Sequence, residues 1–126
     1  MNIVLWVVAA LLAVVFLGAG GTKLAQSKEK LIASPNMAWA EDFPPGALKT
    51  IGALEVLGAI GLIVPPALGI VAVLAPLAAT GLAVTMAGAI RTHARRGETQ
   101  PIVINLMLLA LALFVAWGRF GPYPFT

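Results

Sequence analysis

Cysteine is absent from this 126-residue chain, and its absence excludes disulfides, CxxC redox chemistry, thiolate metal sites and a cysteine nucleophile. Histidine is nearly absent too. With His93 alone, no histidine-based metal site can be assembled within one chain. Charge is scarce, at 10% of residues, against about 25% in an ordinary soluble domain. The eight Lys and Arg form no dense basic run interleaved with aromatics, so nothing points to nucleic acid as a partner.

What fills the space is apolar: 60% of residues are hydrophobic and the mean hydropathy is +0.99. A soluble chain of this length has too small a core to hide that much surface, so lipid is the expected solvent. Four apolar stretches stand out, at about 2–21, 47–64, 67–90 and 102–118. Each is near the roughly 20 residues that a helix needs to cross the hydrocarbon. Their apolar character is continuous rather than alternating, which predicts helices and not barrel strands. The expected fold is therefore all-α: a single domain, 1–126, forming a four-helix transmembrane bundle. The first stretch lacks a positive segment before it and carries Lys23, Lys28 and Lys30 after it, so it reads as a retained helix rather than a signal peptide.

Prolines punctuate the chain. Pro44-Pro45 suits the start of the second helix. Pro65-Pro66 predicts its end, Pro101 the start of the fourth, and Pro76 a kink inside the third. The longest loop, 24–46, holds QSKEK, Ser34-Pro35-Asn36 and WAEDFPPG. Within it, Glu41-Asp42 beside Trp39 reads as a helix N-cap, with a membrane-surface lid as the alternative.

Orientation follows from charge. Lys23, Lys28, Lys30, Lys49, Arg91, Arg95 and Arg96 flank two loops on one side, against Arg119 on the other. That bias predicts loops 22–46 and 91–100 in the cytoplasm and both termini outside. Trp6, Trp117 and Tyr123 would form an outer aromatic belt, and Trp39 an inner anchor.

The most informative residue is Glu55, within Ile51-Gly52-Ala53-Leu54-Glu55-Val56-Leu57-Gly58-Ala59. A carboxylate two turns inside a membrane helix costs roughly 2.5–3.5 kcal/mol on insertion scales. Its side chain is too short to snorkel, so it needs a proton, a partner or a wet cavity. Gly52, Gly58 and Ala59 share its face and would admit a neighbouring helix. Lys23 ends the first helix on the charged side, Arg91 and His93 end the third there, and Asn105 lies one turn into the fourth. Every helix thus offers a polar group to one half of the bundle, while the other half is almost wholly apolar. A polar pocket opening toward the charged face is one expectation. A purely structural network, with Glu55 paired to Lys23 or Arg91 and bonded to Asn105, is the other. His93, beside Arg91, Arg95 and Arg96, reads as an interfacial, solvated histidine rather than a catalytic one. The four methionines are scattered and read as packing, and Gly18-Ala19-Gly20-Gly21 is no nucleotide fingerprint because no strand precedes it.

Taken together, GAGGTKL (18–24), WAEDF (39–43), IGALEVLGAIGLIVP (51–65), PLAATGLAVTMAGAIRTHARRGE (76–98) and Asn105 resemble the DoxX-like membrane proteins. The resemblance covers nearly the whole chain. It implies a four-helix protein of the bacterial inner membrane, associated in the wider family with quinone-linked oxidoreductase systems, and it points to Lys23, Glu55, His93 and Asn105. Thiol exchange is at odds with the missing cysteines. With no haem, flavin or iron–sulfur motif, electron transfer would need a bound quinone or an oxidoreductase partner subunit. The leading expectation is an accessory subunit, without catalysis of its own, that binds a quinone-like or lipid molecule around Glu55. A proton-coupled transporter or channel, a scaffold for a partner oxidoreductase, and a homo-oligomer are the alternatives.

Overall fold

The structure is a computed structural model, described for residues 1–35 and 37–124; Asn36 lies outside the described residues. Four long helices dominate it: α1 (Asn2–Ala25), α3 (Pro45–Leu68), α4 (Leu74–Arg95) and α5 (Thr99–Phe120). The short α2 (Lys28–Ala33) and a 3-10 turn (Ala38–Asp42) lie in the connection between α1 and α3. All four long helices are long and apolar enough to cross a membrane, at 22 or 24 residues each. At 1.5 Å per residue they reach about 33–36 Å, slightly more than the hydrocarbon thickness.

The helices pack in a ring, α1 on α3, α3 on α4, α4 on α5 and α5 back on α1. Small residues set the closest approaches, as expected where lipid supplies no hydrophobic drive between helices. At the Gly20–Gly52 crossing, a Cβ on Gly20 would lie 2.6 Å from the Gly52 carbonyl, and one on Gly52 2.8 Å from the Gly20 carbonyl. Gly58 meets Leu82 and Gly61 meets Ala78 between α3 and α4, and Gly118 meets Leu5 between α5 and α1. Leu12, Phe16, Leu62, Leu82, Met86 and Val115 fill the centre.

Two proline expectations are corrected. Helix α3 runs through Pro65-Pro66 to Leu68, ending on Gly69 in the left-handed region (φ 71°). There the amides of Gly69 and Ile70 return to the carbonyls of Pro66 and Pro65, so the last turn closes on the proline carbonyls. Pro76 is the third residue of α4 and Pro101 the third of α5. A first-turn amide has no intrahelical acceptor, so neither proline removes a helix bond and Pro76 sits at an end, not in an interior where it would kink the helix.

The charged ends are carefully closed. Lys49 Nζ donates to the carbonyls of Lys23, Leu24 and Gln26 at 3.0, 2.8 and 2.7 Å, satisfying the C-terminal turn of α1. Helix α4 ends at Gly97 (φ 71°), with Glu98 N–H bonded to the His93 carbonyl at 2.9 Å and Gly97 N–H to Ala94 at 3.2 Å. That closure folds Glu98 back over His93.

Candidate functional site

Glu55 is 2% exposed and Lys23 7% exposed, and they form a salt bridge of 2.6 Å from Nζ to Oε1. The Gly20–Gly52 crossing makes this geometry. It brings the backbones of α1 and α3 together one turn from each charge, where larger side chains would hold them apart. An ammonium has three protons and a carboxylate two oxygens. Among the described residues, the Lys23 ammonium meets no second acceptor and Glu55 Oε2 no donor. Trp39 supplies the remaining contact on Lys23, with its ring centroid 5.6 Å from Nζ.

The pair faces a cavity of about 580 Å³, within the size range of small-molecule sites. Val15, Phe16 and Ala19 of α1 line it, as do Ile51 and Leu54 of α3, Thr85, Met86, Gly88, Ala89 and Thr92 of α4, and Leu108 of α5. The five residues singled out from the sequence, Lys23, Glu55, Arg91, His93 and Asn105, all line this one cavity. The expected network is present only in its Lys23 branch. Glu55 pairs with Lys23 and not with Arg91, which stands exposed at the rim with Arg95. Asn105 is half-buried on the cavity wall and makes no hydrogen bond to Glu55. The hydroxyls of Thr85 and Thr92 donate to Gly81 and Gly88 carbonyls within their own helix.

His93 is not the solvated interfacial group its arginine-rich surroundings suggest. It is buried, Nδ1 donates to Glu98 Oε1 at 2.7 Å, and its ring stands edge-on to Trp39 at 6.0 Å between centroids. The hydrogen bond from His93, with that from Arg96, holds the Glu98 carboxyl below the usual carboxylate range.

The segment over the mouth was only half legible. Glu41 and Asp42 do not cap α3, whose N-cap is Pro44. Instead Arg96 grips Glu41 and Asp42 at 3.1 Å each and Glu98 at 3.3 Å. These hydrogen bonds, Asp42 and then Glu41 foremost, raise the already high pKa of Arg96 further. Leu31, Ala40 and Leu48 form a small core beneath the segment, joined by Trp39 and Phe43. Trp39 and Phe43 turn their rings into the cavity mouth, 5.8 Å apart and nearly perpendicular. These contacts hold the segment over the cavity mouth. Arg96 and Glu98 were missed as site residues; the signal was the Gly97 stop that turns Glu98 back onto His93.

At the other end of the bundle, Arg119 is buried, donating to Asn2 Oδ1 at 2.6 Å and to the Tyr123 carbonyl at 2.9 Å, with Trp6 beneath it. That half is therefore less uniformly apolar than the sequence suggests. No group of three or more His, Cys, Asp or Glu side chains gathers to hold a metal ion among the described residues.

A family model described as the DoxX-like family matches residues 7–115 of the chain, which takes in the whole cavity wall. No curated protein and no solved structure matches it.

Proposed function

The chain belongs to the DoxX-like family and is a multi-pass membrane protein; from that premise we propose that it is a binding subunit, holding a quinone-like or lipid amphiphile in its cavity. One observation carries this reading. A nine-tenths buried ion pair keeps two ammonium protons and a carboxylate oxygen unspent, on the wall of a cavity large enough for a small molecule. A buried polar group left half-satisfied is costly, and a ligand head would satisfy it. The head accepts from Lys23 and Asn105. The tail lies along Phe16, Met86 and Leu108.

Apolar packing favours binding over conduction, because Leu12, Leu62, Leu82 and Val115 fill the bundle beyond the cavity. The basic loops set the orientation: the lidded mouth faces the cytoplasm and both termini lie outside the inner membrane. Any redox step belongs to a partner oxidoreductase subunit that exchanges the bound molecule. Purification in mild detergent, solvent extraction and mass spectrometry test the reading. The parent retains a co-extracted amphiphile, and Lys23→Gln loses it by roughly tenfold, the effect of about 1.4 kcal/mol of head-group binding. Equal occupancy in the two proteins overturns the proposal.

A further inference from the structure

The rim of the cavity narrows the ligand class. Lys23, Arg91 and Arg95 line it against one carboxylate, Glu55, so three cations less one anion leave an excess of two positive charges. Arg96 does not add to that excess, since Glu41, Asp42 and Glu98 already engage it, and His93 is engaged by Glu98. Among the described residues, no carboxylate pairs with Arg91 or Arg95. They stand four residues apart on one helix, hence on one face with Cβ atoms roughly 5–6 Å apart, a spacing two guanidinium groups can close on one phosphate or carboxylate.

The cavity also reaches the side of the bundle. Leu54 on α3 and Gly88 on α4 both line it and both are exposed, and a methyl placed on Gly88 would meet nothing within 4 Å. Farther from the charged end the same two helices are in contact, at Gly58–Leu82 and Gly61–Ala78. A chain lying between α3 and α4 would therefore run from the cavity into lipid with its head at the arginines.

We infer that the cavity selects an acidic lipid, its phosphate or carboxylate head held by Arg91 and Arg95 above the Lys23–Glu55 pair, its chain passing between α3 and α4. This rests on the binding reading above and chooses between its two head types. An acidic head satisfies Lys23 and neutralises the rim; a neutral quinone ring leaves both arginines unmatched.

Trp39, at the mouth, is the reporter. In a Trp6→Phe/Trp117→Phe chain it is the sole tryptophan. The protein is placed in phosphatidylcholine vesicles carrying a minor fraction of chain-brominated phosphatidic acid, brominated oleate or brominated phosphatidylcholine. Either acidic lipid should quench Trp39 at a concentration roughly 25-fold lower than phosphatidylcholine requires, about fivefold per arginine. The phosphatidic acid and oleate arms tell a phosphate head from a carboxylate head. Arg91→Gln/Arg95→Gln should remove the preference. Ala89→Phe, which fills the cavity without touching a charge, should remove it too. A preference that survives Ala89→Phe belongs to lipid around the bundle and overturns the inference. Equal quenching by acidic and zwitterionic lipid that Ala89→Phe abolishes overturns the head class but leaves the binding reading standing. Quenching indifferent to Ala89→Phe for every lipid sinks both. Mass spectrometry of unaltered protein released from the same vesicles counts bound acidic lipid directly, should the tryptophan replacements unfold the chain.

Discussion

The Lys23–Glu55 pair makes the sharpest prediction, because removing one partner and removing both should have opposite consequences. The two side chains are 8% and 3% exposed and 2.6 Å apart. Deleting one partner of a buried pair typically costs about 3–5 kcal/mol, since the survivor keeps its desolvation penalty and loses its counter-charge. Here the adjoining cavity admits water to the orphan, so the lower end applies: about 3 kcal/mol for Glu55→Leu and for Lys23→Met. For a chain of this size each kcal/mol is worth roughly 3–4 °C, so each single variant should melt about 10 °C below the parent. In Lys23→Met/Glu55→Leu neither charge remains, and apolar groups of similar volume fill the space. That protein should lie within about 1 kcal/mol of the parent, giving a coupling energy of about 5 kcal/mol across the cycle.

Thermal unfolding in mild detergent, followed by tryptophan fluorescence, reads all four corners. The double variant is also the decisive test of purpose. If the pair only fixes helix packing, the stable double variant keeps whatever amphiphile the parent carries. If the pair serves the cavity, the double variant is folded and empty. Single variants that each melt within about 3 °C of the parent, near 1 kcal/mol, would refute the premise that this charge is buried and dependent on its partner.

Three further outcomes follow from the geometry. Gly20→Ala should destabilise by about 1–3 kcal/mol, since its Cβ meets the Gly52 carbonyl, while Gly21→Ala next door, where a Cβ meets nothing within 4 Å, should stabilise by about 0.5–1 kcal/mol; detergent melting curves read both signs. Arg96→Gln releases Glu41, Asp42 and Glu98 together, so acrylamide should reach Trp39 more readily, whereas Arg95→Gln should leave Trp39 shielded. The Glu98 carboxyl is held below its ordinary value, so its contribution to holding His93 and Arg96, and through Arg96 the segment over the mouth, is fully present above the ordinary carboxylate pKa of about 4.3 and is lost as pH falls through the lower folded value. Trp39 shielding should accordingly be flat from neutral pH down to that range and drop only below it.

Much of this arrangement is legible in residue order, and the reason is physical. A span reads itself out through sheer length of apolar run, and a lone acid inside one declares that something must answer it. Placing Lys23, His93, Arg91 and Asn105 at matching depth needed only the 1.5 Å rise and alternating helix direction. What hydropathy does not encode is pairing at a given depth: Lys23 and Arg91 were equal candidates until the Gly20–Gly52 crossing put α1, not α4, against Glu55. Proline misled for a related reason. Its penalty depends on its position in the helix, and a start at Leu74 rather than at 67 moves Pro76 from a kink to a harmless first turn. The lid was obscure because its contacts join residues more than 50 positions apart, from Glu41 and Asp42 to Arg96.

The costs in this bundle fall in one place. Gly20 and Gly52 give up helix propensity, roughly 1 kcal/mol each against alanine, to let two backbones meet. A few ångströms away an ion pair accepts a desolvation penalty that apolar residues would avoid. The cavity beside it forgoes the dispersion contacts that a filled core would make. Each departure is tolerable alone, and the Leu12–Val115 core beyond shows that this chain packs densely where nothing else is asked of it. Glycines that only served packing would need no charge beside them, and a charge pair that only served packing would not be left with unspent donors on an open wall. Their coincidence at one depth, under a lid latched by Arg96, is what a site built to receive a molecule requires, and it is why the double Lys23→Met/Glu55→Leu variant should be sound in fold and empty of ligand.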